Sequence, residues 1–260
     1  MKSLRTSVLR GVWLLCLSGI AGTAGDLDNI LAKNYEARGG LEKLRATSSI
    51  RVKGEVISSS LKMHFAYVTD GGKIRLEYVM NDNHIIMLYT GKEAWQVNPM
   101  LGNKEPRCMG TKEVAWLEEM ADTAGPLVDW RKKKHKVRYV GDVKLGDRDT
   151  YKIELVTVAK HKKDFFIDKE THLVLMVSEK SQGKKPVEKR TMTYQKIGGL
   201  IFPKRIEKRD LNQCPHEEHN AQTKCYATYE VAFEDISLNP PIEVGLFKIR
   251  DSSSLLATAK

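Results

Sequence analysis

The motifs that announce chemistry are missing from this sequence. It holds no Gly-rich phosphate loop, no G-x-S-x-G elbow and no complete H-E-x-x-H helix. Nothing in it therefore points to phosphoryl transfer, to an α/β-hydrolase or to a zinc protease. Cysteine is scarce, four in 260 residues, which excludes a disulfide-built miniature scaffold. No solenoid or propeller period and no low-complexity stretch is present. The seven histidines are His64, His84, His135, His161, His172, His216 and His219. Most stand alone in basic turns or at polar strand positions, where histidine is ordinarily just surface.

What is present begins with an address. Lys2, Arg5 and Arg10 precede an apolar stretch, Val12 to Ala21, and Gly22-Thr23-Ala24 supplies small residues for cleavage. This reads as a secretory signal on residues 1–24, cut near Ala24. The apolar stretch is short for a spanning helix, which needs about 20 residues; an uncleaved N-terminal anchor is the alternative. Leu15 before Cys16 does not fit a lipoprotein signal. Residues 25–250 read as one domain, because no linker or composition break divides them, and 251–260 as a flexible Ser-rich tail.

The whole chain carries 43 basic and 33 acidic residues, and the signal holds three of the basic ones, so the exported part keeps a charge of +7. The excess gathers in Arg131 to Lys136 and in Lys160 to Lys163. Such runs are either solvated turns or contacts for an anionic membrane surface or an acidic partner. Nucleic acid is not expected, since no aromatics interleave with the runs.

The informative pattern is alternation. Ile50, Val52 and Val56 alternate with Arg51, Lys53 and Glu55. Leu61, Met63, Phe65 and Tyr67 alternate with Lys62 and His64. After Asp70-Gly71-Gly72 come Ile74, Leu76, Tyr78 and Met80, alternating with Arg75 and Glu77. Period two makes antiparallel strands with one apolar face. That face must be covered by a sheet, a helix or a ligand. Further strands follow at His84–Tyr89 and Glu93–Val97, with Trp95 and Val97 on one side. Pro99 and Gly102 then open an irregular stretch.

Helices are expected over Asp26–Ala37, ended by Gly39-Gly40, and over Leu41–Arg45 for about one turn. Another runs over Thr111–Ala124, with Thr111 as N-cap and Gly125-Pro126 as its end. Val114, Leu117, Met120 and Ala121 share one side of it, with Glu113, Glu118 and Asp122 mostly opposite. A second set of strands covers Val137–Val143, Tyr151–Leu155, Asp164–Ile167, Leu173–Ser178, Val187–Gln195, Ile197–Glu207 and Tyr226–Ile236. Pro203 suits an edge position. The fold class is thus α+β: a large antiparallel sheet, curled toward a barrel, with helices against one face. Two helices across its mouth would enclose a water-poor cavity. Flexible Met63, Met80 and Met120 suit a surface that accepts varied apolar shapes, although the same residues equally make ordinary core.

Cys214-Pro215-His216-Glu217-Glu218-His219, with Cys225 beyond, falls one residue short of H-E-x-x-H. It reads as a disulfide-closed loop, Cys214 to Cys225, in an oxidising compartment. A four-ligand zinc site from the same cysteines and His216 and His219 is the alternative.

The order of motifs resembles the outer-membrane lipoprotein-sorting family, the LolA/LolB-like half-barrels. Ile30 to Lys33 leading to Gly39-Gly40-Leu41-Glu42-Lys43-Leu44 is similar to the family's opening helix, and Ile50 to Gly54 to its first strand. Gly91-Lys92-Glu93-Ala94-Trp95, Asp164 to Thr171, Gly199 to Pro203, and Asn239 to Ile242 with Phe247 resemble later elements. The resemblance implies a curved antiparallel half-barrel with a helical lid over an apolar cavity. It implies a periplasmic, monomeric, non-enzymatic carrier that binds the acyl chains of a lipid or lipoprotein and moves it toward the outer membrane. It needs no cofactor and no metal, and it works with a membrane-bound donor or acceptor protein. The lipid-binding residues expected on this reading are Val52, Leu61, Met63, Phe65, Tyr67, Ile74, Leu76, Tyr78, Met80 and Trp95. Val114, Leu117 and Met120 would join them from the lid. A periplasmic sensor of the same fold, which reads lipid or lipoprotein, is one alternative. An exported zinc hydrolase using His216 and His219 is another.

The cysteines give a first test. Thiol titration of the exported protein is expected to find Cys214 and Cys225 oxidised, with no zinc by metal analysis. Closing a loop of about a dozen residues stabilises by roughly 3 kcal/mol in the chain-entropy model. One zinc per chain with both thiols reduced would revive the metal site.

Overall fold

A computed structural model describes residues 24–58, 61–180, 184–213 and 229–248. The signal, the tail, Cys214, His216, His219 and Cys225 lie outside these residues. Three α-helices are described: α1 (Ala24–Ala37), α2 (Leu41–Ala46) and α3 (Thr111–Met120). The first run of strands is β1 (Ser49–Ile57), β2 (Lys62–Asp70), β3 (Lys73–Met80), β4 (Asn83–Tyr89), β5 (Ala94–Asn98) and β6 (Asn103–Cys108). The second is β7 (Lys136–Leu145), β8 (Arg148–Val156), β9 (Lys162–Asp168), β10 (Val174–Lys180), β11 (Val187–Ile197), β12 (Leu200–Asp210) and β13 (Tyr229–Leu238).

These strands form one 13-stranded sheet in the order β6-β5-β4-β3-β2-β1-β13-β12-β11-β10-β9-β8-β7. Every pairing is antiparallel. Two meanders are joined where the last strand returns beside the first, with Val52 opposite Ile236.

The sheet is open but not flat. α3 packs its Leu117 against Ile74, Leu76 and Tyr89 of β3 and β4. From the same helix Glu119 reaches Lys163 of β9. β4 and β9 stand eight positions apart in the strand order, about 38 Å along a flat sheet. A helix only about 10–12 Å across joins them, so the sheet curls around α3. On this concave face α1 covers the far end: Leu27, Ile30 and Leu31 pack with Ile153, Leu155, Phe165 and Ile167. Leu44 of α2 meets Leu200 and Val128 in between.

Several local expectations change. β6 falls in the stretch expected to be irregular. Its sequence Asn-Lys-Glu-Pro-Arg-Cys carries no apolar alternation, because as a margin strand it pairs only with β5. α3 stops at Met120 rather than Ala124. Asp122 and Thr123 are drawn into tertiary bonds instead, with Lys133 at 2.7 Å and Thr69 at 2.9 Å. Its N-cap is Gly110, whose N–H donates to Glu113 at 2.9 Å, and not Thr111. Gly198-Gly199 lies between two strands, splitting the stretch Ile197–Glu207. Pro203 lies in an interior strand, not at an edge. It pairs with Tyr194 of β11, while the ladder from β12 to β13 covers only Arg205–Lys208. The missing N–H therefore falls where β13 asks for none. Gln195 fills that gap by donating to the carbonyls of Pro203 and Phe233, at 3.3 Å each.

Two glycines are required by close approach. Gly39, at φ 110°, ends α1 against the β11–β12 turn, and a Cβ there would sit 2.3 Å from the Gly199 carbonyl oxygen. Gly54 interrupts the apolar alternation of β1 at a bulge opposite β13. It stands between Phe65 and Phe233 on the neighbouring strands, and those rings meet edge-on at 5.9 Å. A Cβ on Gly54 would lie 2.1 Å from the Ala232 carbonyl oxygen and 2.8 Å from the Phe65 ring. Gly54→Ala is therefore expected to cost about 1–3 kcal/mol of stability. Gly110→Ala, whose Cβ meets nothing closer than 3.7 Å, serves as the control in chemical denaturation.

Candidate functional site

Cross-strand register assigns each expected site residue to a face. Val52 pairs with Tyr67, Tyr67 with Leu76, Phe65 with Tyr78, and Val56 with Met63. All of these, with Ile74 and Met80 at the same parity, share the concave face. Ile74, Leu76 and Leu117 have no exposed surface at all. With Val114 and Met120 packed around them, they are closed core rather than a lid over a void. Leu61 precedes β2 and is 38% exposed.

Trp95 is not brought to this group. It pairs with Leu88, and Leu88 pairs with Arg75, which alternates with Ile74 and Leu76. Trp95 therefore lies on the opposite face of the sheet. There the C-terminal residues Ile242, Leu246 and Phe247 pack on Ala66 and Val68 of β2.

The concave face has one apolar region whose members all come from strands, continuous with the α3 cluster through Tyr67 and Tyr78 and with the α2 cluster through Phe202 and Leu238. Ile50, Val52, Phe65 and Ile236 are its buried members, and Val56, Tyr67, Tyr78, Val231 and Phe233 pack around them. Every residue of this cluster belongs to a strand. Val56, Tyr78, Val231 and Phe233 are only half-buried, as are Met63, Met80 and Ile206 beside them. Phe65 anchors the patch, with ring centroids 6.2 Å from Tyr78 and 6.3 Å from Tyr67. Burial raises the Tyr67 phenol pKa and pushes that of Tyr78 up to about 12. Both rings therefore act as neutral, largely apolar surface.

Sequence reasoning missed the charges that border this floor. Lys163 belongs to the run read as a solvated turn, yet it is only 6% exposed. It pairs across the strands with Leu155 and Glu179, two positions before Phe165 at the same parity, and that spacing was the available signal. Lys163 contacts Glu119 and lies 3.0 Å from Glu179, which also takes Lys189 at 2.5 Å. Burial acts to raise the Glu179 pKa, but the Lys189 and Lys163 ammoniums outweigh it and hold the carboxyl down to about 2. Burial lowers the pKa of Lys163 itself. The other basic run is tied down as well, by Arg131 to Asp28 at 3.0 Å and Lys133 to Asp122 at 2.7 Å.

A cavity of about 860 Å³ opens where α2, the end of α3 and the β2–β3 and β8–β9 turns meet. Leu44, Tyr89, Ala121 and Val128 line it, but so do Glu118, Asp122, Asp129, Lys133, His135 and His161. Its charges are largely consumed locally: Asp129 takes Arg45 at 2.6 Å, and Lys133 also donates to the Gly125 carbonyl at 2.9 Å. This mixed lining differs from the apolar cavity expected from the sequence. Among the described residues, no group of three or more His, Cys, Asp or Glu is placed to hold a metal ion.

With the geometry in view, solved structures give the comparison. The fold is LolA-like. A LolA superfamily protein from Nitrosomonas europaea superposes with a TM-score of 0.57 at 13% identity, over 85% of this chain and 96% of that one. A domain from Vibrio parahaemolyticus assigned to outer membrane lipoprotein sorting gives 0.55 at 12% identity, over 85% and 95%. A DUF1329 family protein from Desulfovibrio piger gives 0.54 at 11% identity, over 83% and 95%. No family model matches the sequence, and a search of the curated proteins returns no match.

The ion cluster sets a pH test. Glu179 has its folded pKa depressed, from an ordinary 4.5 to about 2. Its stabilisation is thus present above pH 4.5 and lost as pH falls toward 2. Glu179→Gln is expected to lose on the order of 1–3 kcal/mol at pH 7, since it removes a partner from buried Lys163. The wild-type and variant stability curves should converge as pH falls toward 2. Parallel curves would show that the carboxylate contributes nothing to folding.

Proposed function

We propose that this protein is an exported, non-catalytic carrier that holds acyl chains of a lipid or lipoprotein on its concave face and moves them through the periplasm toward the outer membrane. The observation that carries the reading is the strand-built floor around Phe65, where Val56, Met63, Tyr78, Met80, Val231 and Phe233 share one face and are each only half-buried among the described residues. Each methylene buried there contributes about 0.8 kcal/mol, so two or three chains bind without special polar contacts. The methionines adapt to chain shape. Likeness to a LolA superfamily protein and to a lipoprotein-sorting domain supports this reading.

The test is saturable binding of a fluorescent fatty-acyl probe by folded protein, with lipid extraction and native mass spectrometry of the purified chain. Met63→Asp places a carboxylate on the floor, which costs several kcal/mol against acyl chains. It is expected to weaken probe binding by about 100-fold or more. Met192→Asp, at a residue already 57% exposed and outside the floor, should leave binding unchanged. Equal loss in both variants, or no saturable binding in the wild type, would leave a filled structural domain.

A further inference from the structure

Strands β7 to β10 are basic at one end and acidic at the other. At the basic end the register runs from Lys136 to Val156, from Val156 to Lys162 and from Lys162 to Lys180. These positions alternate with Val137, Leu155 and Lys163 of the concave face, so the three lysines form a row on the opposite face, about 14 Å long over four strands. Lys134 precedes the row by two residues. Lys160 lies in the β8–β9 turn, where the Thr157 N–H donates to the His161 carbonyl at 2.9 Å. The tip of that turn is apolar: Val158 is 64% exposed, and Ala159 is exposed beside it.

The acids around this end are named with their partners. Asp28 takes Arg131, Asp122 takes Lys133, and Asp129 takes both Arg45 and Lys132. Glu119 and Glu179 take Lys163. Glu154 is shared by Arg138 and Lys162, and Asp164 by Lys152 and Lys180. Glu118 is exposed on the cavity wall. Among the described residues Lys134, Lys136 and Lys160 have no carboxylate within ion-pair distance. At the other end of the same strands, residues 142–149 and 168–170 carry Asp142, Asp147, Asp149, Asp168 and Glu170 against Lys144, Arg148 and Lys169. A negatively charged plane therefore attracts the first end and repels the second, which orients the molecule as well as drawing it in.

We propose that the β8–β9 turn docks on an anionic phospholipid bilayer, with Val158 at the boundary between headgroups and acyl chains and Lys134, Lys136, Lys160 and Lys162 among the headgroups. Lysine is a compact point charge without the fork of arginine, so it suits the diffuse field of a charged surface better than one bidentate partner. An apolar tip ringed by lysines matches an interface whose charge lies above its hydrocarbon. Thr157, Val158, Ala159 and His161 of the same turn line the cavity of about 860 Å³, so docking brings its mouth to the membrane. This goes beyond the acyl-binding reading and does not depend on it: intact vesicles report the docking surface, and the monomeric acyl probe reports the concave face.

The experiment sediments the exported protein with vesicles of pure phosphatidylcholine, which carry no net charge, and of phosphatidylcholine and phosphatidylglycerol mixed two to one. Binding to the mixed vesicles only is expected, and it should vanish at about 1 M salt, where the screening length is about 3 Å. A lysine near an anionic leaflet contributes about fivefold, so Lys134→Gln/Lys136→Gln/Lys160→Gln should lose about 100-fold. Lys33→Gln/Lys144→Gln/Lys204→Gln removes the same charge from exposed lysines elsewhere and should lose far less. Val158→Asp should weaken binding about tenfold or more, and Val143→Asp, near the acidic end, should not. Circular dichroism checks that each variant folds, and all should bind the acyl probe as the wild type does. Equal loss in the two triple variants would show general attraction by net charge and overturn the docking end. Equal effects of the two aspartates overturn the seating of Val158. Binding of neither vesicle by folded wild-type protein overturns the membrane surface and leaves the lysines to an acidic protein or to solvent, while the acyl-binding reading stands. Loss of the acyl probe together with the vesicles in the first triple variant would place these lysines at the acyl site and overturn docking.

Discussion

The structure depends on one imbalance: its sheet has more concave surface than its helices can cover. Thirteen strands span about 60 Å across, and strands of about eight residues run about 25 Å, giving roughly 1,500 Å² for one face. α1, α2 and α3 have 14, 6 and 10 residues, about 45 Å of helix some 10 Å wide, or roughly 450 Å². Curling brings distant strands over the same helix and removes part of the deficit, as Glu119 of α3 reaching β9 shows. What remains is a half-buried margin of Val56, Met63, Tyr78, Met80, Val231 and Phe233 around the buried Phe65. Apolar surface exposed to water is unfavourable at about 25 cal/mol per Å², so covering that margin would be favoured by the same force that folds the chain.

The charges on the concave face follow from the same geometry. Curling gathers the starts of β9 and β11 and the end of β10 beneath α3, and Lys163, Glu179 and Lys189 meet there with Glu119. A buried cation left alone would be costly; shared between two carboxylates it is tolerable. The cluster fixes α3 to the far half of the sheet without filling the floor beside it. α3 is thus anchored by packing at Leu117 and by ions at Glu119, two attachments of different physical kind on one short helix. Salt and acid act on the second and leave the first in place.

Much of this was legible from residue order alone. Period-two alternation located β1 to β4 and most of β7 to β13, because one buried face imposes it. The α+β antiparallel class followed, and so did the concave membership of Val52, Phe65, Tyr67, Ile74, Leu76 and Tyr78. Trp95 was misassigned because alternation fixes parity within a strand but does not carry it through a turn. Only the pairing of Trp95 with Leu88 and of Leu88 with Arg75 settles its side. β6 left no pattern, since a margin strand with Pro106 has little to bury. Lys163 was hidden inside a basic run, and its neighbours in the chain say nothing of Glu119, 44 residues away. Local sequence reports faces well and partners poorly, because partners are set by how the sheet curls.

The two faces of the sheet differ in how they are closed, and this locates function. On the opposite face the chain supplies its own cover: Leu246, with 2% of its surface exposed, seats on Ala66 and Val68, and Lys73 lies 5.8 Å from the Phe247 ring centroid. Those contacts need nothing from outside. On the concave face the same strands, β1 to β3, present Val56, Met63, Tyr78 and Met80 half-open, although α3 lies within reach and covers their neighbours. Lengthening α3 by another turn would extend its cover. Instead the chain breaks the helix at Met120 and spends Asp122 and Thr123 on bonds to Lys133 and Thr69. A fold that covers part of one face with its own C-terminal residues and stops its helix short on the other leaves Val56, Met63, Tyr78 and Met80 half-buried, and it is there that the proposed acyl cargo would lie.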